Sequence, residues 1–414
     1  MNIPRADHKS LRVALALCVP ALFAARASMA AEAADATDRF QFFVMDRYLY
    51  DDNLFRVPDY FFENHPTLVA PQSLDDYVNR ASAGVRVRLD QSRQTLHADL
   101  RIDDVRYQRN DNLDYTGGSA DLLWNWQLAS EWSGRLFGTF DRAQASLANY
   151  SFFSSDIVDT AMYGGEVRYG FGGRWRLLAA AVGMDTDHSA ELRSIENYES
   201  TTGRGGVEYV TPAGTVFALE YRATDASLPV AESLTGMAQG YKESEPGIRI
   251  EYTYSVKTRF STHFGYLKRD YDSPAAGEYS GVAWDGSMQW EPTGKLNFDI
   301  EAWHKLKAYP DSAAKYYLAD GVSITPEWEV THLVTIAGVV SYEKQDYTGT
   351  DFVLLPGESE RKDDVWATQF SIDYKPRKFF SVGFAYRWTE RSSNRADFRG
   401  YYDNIASAQI KLTF

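Results

Sequence analysis

From Phe40 onward the chain is written in period two. Apolar residues occupy every second position in segments such as Val85/Val87/Leu89, Leu96/Ala98/Leu100/Ile102 and Ala120/Leu122/Trp124/Trp126. The same pattern returns in Ile248/Ile250/Tyr252/Tyr254, Leu296/Phe298/Ile300/Ala302 and Phe380/Val382/Phe384/Tyr386/Trp388. Between their members sit Arg86, Arg88, His97, Asp99, Arg101, Asn125, Arg249, Glu251, Asn297, Asp299 and Glu301. A helix cannot sort residues this way, whereas a strand sends neighbours to opposite faces, one greasy and one wet. The strictest run is the last, Ala406-Ser407-Ala408-Gln409-Ile410-Lys411-Leu412-Thr413-Phe414, which ends on an aromatic ring.

A soluble sandwich and a membrane barrel both alternate, and the connections separate them. Short ones centre on Gln91–Gln94, Ala129–Glu131, Phe171–Gly173, Thr211–Gly214, Ser255–Thr258, Glu291–Gly294, Thr325–Val330 and Tyr374–Lys378. They take turns with longer, more acidic ones: Tyr50–Asp76, Ala143–Asp159, Asp185–Ser200, Thr224–Pro246, Ala308–Ala319 and Glu343–Asp364. Short periplasmic turns alternating with long external loops are the habit of outer-membrane barrels, and the segments are about ten residues long, enough to cross a bilayer tilted. The expected fold is therefore all-β, an antiparallel transmembrane barrel in the outer membrane of a Gram-negative bacterium.

About 18 strands are expected, beginning near Phe40, Tyr77, Thr95, Gly117, Trp132, Thr160, Arg174, Thr201, Thr215, Gly247, Arg259, Glu278, Lys295, Gly321, Thr331, Asp364, Phe379 and Tyr402. The first and fourteenth carry the weakest pattern, so 16 is the alternative. An even number puts both ends of the barrel on the periplasmic side. Barrels of this size leave a water-filled lumen.

The N-terminus agrees on the compartment. Arg5, Lys9 and Arg12 precede an apolar run from Val13 to Ala25, and Ser28-Met29-Ala30 offers small residues for cleavage. This reads as a signal peptide over residues 1–30, then a short periplasmic segment over 31–38 and the barrel over 39–414. Cys18, the single cysteine, lies inside the leader, so the mature chain is expected to carry no disulfide. Removing residues 1–30 takes four basic and one acidic residue from 43 and 57, leaving a net charge of −17. Such a chain has no electrostatic reason to hold nucleic acid. No long apolar run follows Ala30, while 14% aromatic residues accompany a mean hydropathy of −0.41, a composition suited to a barrel and not to helical spans.

The expected lumen-facing candidates are Arg86, Arg88, Asp99, Arg101, Glu166, Arg168, Arg249, Glu251, Asp299, Glu301 and Trp303, with Arg204, Glu208 and Arg259 beside them. Opposed carboxylates and guanidinia can set a transverse field and offer hydrogen bonds to a polyhydroxylated solute. Any one of them can equally serve a neighbouring strand by pairing with it. Ten Trp and 27 Tyr fit interface girdles, with Trp132, Trp175 and Trp290 at periplasmic ends and Trp388 near an external one. Trp303 shares the face of Asp299 and Glu301 and is the candidate stacking platform.

Catalysis finds little footing. Asp185-Thr186-Asp187-His188-Ser189 superficially resembles the Asp–His arrangement of omptin proteases, but no second acidic cluster or nucleophile motif accompanies it. No Gly-rich phosphate loop and no metal-spaced Cys/His set is present, so no enzyme activity, cofactor or metal is expected. Acidic tips such as Asp51-Asp52-Asn53 could share a divalent cation with lipopolysaccharide phosphates, or simply keep the loops soluble.

Tyr50-Asp51-Asp52-Asn53-Leu54-Phe55-Arg56 resembles the YDDNLFR signature of the EpsL-type β-barrel porin family, associated with exosortase-linked exopolysaccharide operons. Trp124-Asn125-Trp126-Gln127-Leu128 with Trp132-Ser133-Gly134-Arg135-Leu136 is similar to that family's fourth and fifth strands. Pro292-Thr293-Gly294-Lys295 is similar to one of its turns, and Arg391-Ser392-Ser393-Asn394 with Ile410–Phe414 to its final hairpin. The resemblance implies a passive channel exporting an exopolysaccharide, coupled to an inner-membrane synthesis system; a porin for uptake of small solutes is the alternative. The partners expected are the lipid bilayer and lipopolysaccharide, the polysaccharide itself, periplasmic or inner-membrane export proteins, and the barrel-assembly machinery through Phe414.

Overall fold

In the computed structural model the chain closes on itself. The structure describes residues 39–414 except 59, 65–70, 150–152, 236–239, 273–277, 312–313, 349–359 and 395–399. The leader and periplasmic segment expected over 1–38 lie outside the described residues. The first nine strands are β1 (Phe40–Asp51), β2 (Asp76–Gln91), β3 (Gln94–Tyr107), β4 (Tyr115–Leu128), β5 (Trp132–Gln144), β6 (Ile157–Phe171), β7 (Trp175–His188), β8 (Tyr198–Val210) and β9 (Val216–Ser227). The second nine are β10 (Gly240–Ser255), β11 (Thr258–Tyr271), β12 (Glu278–Thr293), β13 (Leu296–Asp311), β14 (Ala314–Thr331), β15 (Val334–Thr348), β16 (Lys362–Arg377), β17 (Phe380–Ser393) and β18 (Tyr401–Thr413). Each pairs antiparallel with the next, and β1 pairs with β18, Phe43 opposite Thr413 through Asp51 opposite Ile405. The ring of 18 strands therefore has no free edge of the kind that invites aggregation.

One face of each strand is exposed and apolar. Phe42, Leu100, Ile102, Leu122, Leu177, Leu219, Phe264 and Phe384 all stand open on the outer wall. In water this would be untenable; in a bilayer it is the hydrocarbon belt. Aromatic pairs edge it on the periplasmic side: Trp132 lies 4.6 Å from Tyr169, Trp175 4.9 Å from Tyr209 and Trp290 5.3 Å from Phe298, ring centre to ring centre. On the external side Tyr50–Tyr77 and Tyr342–Trp366 stand 4.8 and 4.7 Å apart. Beyond that level the outer face turns charged. Past Tyr342 on β15, Lys344 bonds Asp346 at 2.9 Å, and at the top of β11 Lys268 bonds Asp270 at 2.7 Å, so the strands continue past the membrane.

Three expected boundaries need correction. The expected loop Thr224–Pro246 gives its two ends to strands, β10 beginning at Gly240, and the described part of Ala308–Ala319 is strand throughout, β14 beginning at Ala314. The expected turn Thr325–Val330 lies within β14, and the chain reverses at His332–Leu333. At the two loops the strand rises above the belt on the external side, where its outer face no longer has to be apolar and the alternation fades.

The β13–β14 hairpin departs from the cylinder. β12 and β13 pair only from Trp284/His304 down to Thr293/Leu296, although both strands run higher. Above that level Leu306 and Tyr316, on the hairpin's outer face, pack in a buried cluster with Leu267 on the inner face of β11. Tyr271 and Tyr279 join them, with Tyr316 stacked 6.0 Å from Tyr271. An outer face can meet an inner face only if the hairpin leans inward over the lumen.

Candidate functional site

The inner wall is where chemistry can occur, and its residues are those opposite the exposed apolar rows. Arg86 and Asp99 stand in register across β2 and β3 and bond at 2.7 Å. Arg101 reaches Asp103 on its own strand at 3.1 Å. Arg88 bonds Asp90 at 2.9 Å near the periplasmic turn, where both are well exposed.

From β5 to β10 the expected residues join into one ion network. Glu166 and Glu208 are almost wholly buried, at 4% and 1% exposure, so each needs cationic partners to offset desolvation. Arg168 and Arg204 both bond Glu166, and Arg135 adds a contact at 3.4 Å. Arg168 also reaches Glu208 at 3.2 Å. Arg249 spans Glu208 and Glu220 at 2.5 and 2.8 Å and touches Glu251. Glu251 remains half exposed to the lumen. Arg222, Glu245 and His263 extend the network upward. Arg135, Glu220 and Glu245 were not among the sequence candidates; each falls on the wet face of its strand, which is the signal that marks them.

The remaining candidates lie farther round. Asp299 accepts from Asn297 at 3.4 Å; Glu301 stands in register with Ser287 and Ser323; Arg259 stands opposite Gln289. Trp303 folds over Gly321, its cross-strand partner, where any Cβ would collide with the ring. Its indole N–H donates to Glu343 at 2.9 Å, and Lys307 sits 5.7 Å from the ring centre. Solvent reaches this wall: Asp121, on the wet face of β4, is exposed.

The external mouth is covered. The signature Asp51-Asp52-Asn53-Leu54-Phe55-Arg56 turns the chain inward immediately after β1. Asp51 accepts from Arg56 at 2.8 and 2.9 Å, and Arg56 contacts Asp403 at 3.3 Å. Asp52 takes the backbone and side-chain N–H of Asn404, both at 2.6 Å. Asn53 donates to the carbonyls of Val57 and Tyr402 at 2.8 and 2.9 Å. So clasped to β18, the loop drops Leu54, Phe55, Val57 and Phe61 into a dry cluster with Leu113 and Leu147 from two other loops. Phe153 packs edge-on against Phe55, 5.1 Å between ring centres. The acidic tip thus spends its carboxylates on the chain itself, and no group of metal-binding side chains occurs among the described residues.

His188 has a similar internal use. Its Nδ1 lies 2.8 Å from Asp156, and Arg193 contacts Asp156 at 3.0 Å and Glu196 at 2.9 Å. Burial alone would raise the Asp156 carboxyl. Hydrogen bonds from His188 and the Ala190 N–H, with the charge of Arg193, outweigh it and hold the group below its ordinary value. Asp187 bonds Asn197 at 2.9 Å. The His188 side chain is 7% exposed, so it pins two loops together.

A closed antiparallel cylinder with an apolar belt outside and charged, hydrated walls inside defines a porin-like barrel of the outer membrane. The chain belongs to the family described as Putative beta-barrel porin 2, whose model matches residues 195–414. Comparison with curated proteins gives no match. Among solved structures it is similar to a BenF-like porin from Pseudomonas fluorescens Pf-5, at 10% identity over 91% of this chain and 99% of that one, TM-score 0.46. It is also similar to OprD of Pseudomonas aeruginosa (10% identity, 91% and 95%, TM-score 0.44). A mutant ferric enterobactin receptor of the same organism matches at 8% identity, 92% and 81%, TM-score 0.45. At these identities and scores the likeness carries no argument about this chain, and no cargo follows from it.

Proposed function

We propose that the protein is a passive conduit for hydrated polar solutes, held shut at its external mouth by its own loops. The observation that carries this reading is the pairing of a solvent-reached, charged inner wall with a dry cap clasped to β18. Such a wall replaces part of a solute's hydration with fixed charges and supplies no energy of its own. Purified protein in a planar bilayer should conduct weakly or intermittently, and a variant with the clasp removed should conduct more. Absence of current from both would overturn the reading.

Two cargoes suit this lumen. Export of an exopolysaccharide is supported by the YDDNLFR resemblance, now with a structural role for that segment. Uptake of small solutes fits the same wall equally well. Deleting the gene distinguishes them: polysaccharide precursor accumulating in the periplasm supports export, whereas normal secretion with impaired growth on a polar nutrient supports uptake. Nothing in the described geometry calls for catalysis, and the reading includes none.

A further inference from the structure

Arg47 on β1 and Arg80 on β2 are direct cross-strand partners, and both belong to the inward set. Like charges so placed, with Cα atoms about 4.5–5.5 Å apart, destabilise a sheet. Among the described residues Arg86, Arg101, Arg135, Arg168, Arg204 and Arg249 each contact a carboxylate within 4 Å, whereas no such contact joins Arg47 or Arg80 to one. Among the described residues Arg47 donates only to the Gln409 amide oxygen, at 3.1 Å through Nε. Arg80 makes one long bond, 3.4 Å, to the Tyr115 hydroxyl, and its Nε is buried with no partner. Of the nearby carboxylates, Asp141 makes no hydrogen bond to either guanidinium, and two others are already engaged. Asp103 is held by Ser82 at 2.6 Å and Arg101 at 3.1 Å, and Asp373 is hydrogen-bonded by Gln409.

The pair also has a defined height. Arg47 lies four residues below Asp51, about 13 Å along the strand, so it sits just beneath the clasped cap. Leu49 and its cross-strand partner Val78 separate the two levels, and Val78 is buried. A solute rising through the lumen from the periplasmic side meets these two guanidinia before it meets the cap.

We propose that Arg47 and Arg80 form an anion-binding station for the carboxylate of an acidic, hydroxylated solute, with the Gln409 amide and the Tyr115 hydroxyl beside it. Paired planar donors suit a two-oxygen acceptor, and no carboxylate of the chain satisfies them where they stand. This rests on the conduit reading for its biological sense but not for its test.

The test is equilibrium binding by calorimetry to the detergent-purified barrel, with trigalacturonate as acidic probe, maltotriose as neutral match and inorganic phosphate as bare oxyanion. Wild type should bind trigalacturonate at least tenfold more tightly than maltotriose, with affinity falling as salt rises. Arg47→Gln with Arg80→Gln should reduce it to the neutral level, and Arg47→Lys with Arg80→Lys should retain part; heat-modified gel mobility confirms each barrel. Equal binding of the acidic and neutral probes by wild type, or full binding by the Gln pair, overturns the station. Phosphate binding as tightly as trigalacturonate overturns the sugar assignment. Current with no acidic preference leaves the conduit standing and the station fallen; acidic preference with no current from any cap-loosened variant does the reverse.

Discussion

Arg391 on β17 donates a hydrogen bond to the backbone carbonyl of Ala148, a residue 243 positions earlier in the chain and on the other side of the mouth. Its guanidinium also stacks on Tyr401 at 4.6 Å and lies 4.0 Å from the fully buried Asp363. The β5–β6 loop is thereby strapped across the opening and not left to wave above it.

Cutting that strap should open the conduit. Arg391→Ala removes a buried charge-assisted bond worth about 1.5–3 kcal/mol, enough to raise the open fraction about tenfold or more. Single-channel recording should show longer open periods; unchanged gating would mean the cap is not what limits flow.

The signature clasp can be tested independently. Asn53→Ala leaves the carbonyls of Val57 and Tyr402 without their donor, at a cost of about 1–3 kcal/mol. Hydrogen exchange at the Val57 and Asn404 amides should accelerate accordingly, while strands on the far wall stay protected. Slow exchange at both amides in the variant would show that the dry cluster alone holds the loop.

Glu208 and Glu251 offer a contrast within one network. Glu208→Ala takes one buried partner each from Arg168, which keeps Glu166, and Arg249, which keeps Glu220, and should cost about 1.5–3 kcal/mol. Glu251 is half exposed, and its removal should cost well under about 1 kcal/mol. The temperature at which each barrel loses its folded gel mobility measures the difference.

Acid should release the loops that His188 pins. Because the Asp156 carboxyl titrates lower in the folded state than in the unfolded one, its contribution is complete above the unfolded value. That contribution fades as pH falls through the folded value, so cleavage of the β5–β6 loop by an acid-active protease should be resisted at pH 5 and rise below about pH 4. Asp156→Asn should be cleaved at both. A wild-type loop equally resistant at pH 3 would contradict the role given to the carboxylate.

Much of this was legible in the chain. Leu96 to Ile102 or Phe380 to Trp388 must face lipid on one side and water on the other, and that requirement writes the strands into the sequence. It stops at the membrane surface, which is why Lys242 to Glu245 looked like loop although it is strand. The charged wall was legible residue by residue, but its connectivity was not: period two says that Glu166 and Arg204 share a face, not that they bond across a strand. The cap was least legible, since Phe55 and Leu113 meet through inward-turning loops that follow no repeat. Arg80 hid for a related reason, within Asn79-Arg80-Ala81-Ser82, where no bulky apolar neighbour advertises the alternation.

The hairpin that leans inward leaves a notch. Above Trp284 the backbones of β12 and β13 have parted company, so the staves of this cask are not hooped to the same height all the way round. Heat or pulling force should start to unpick it there, from the outer rim downward, while the join between first and last strands still holds.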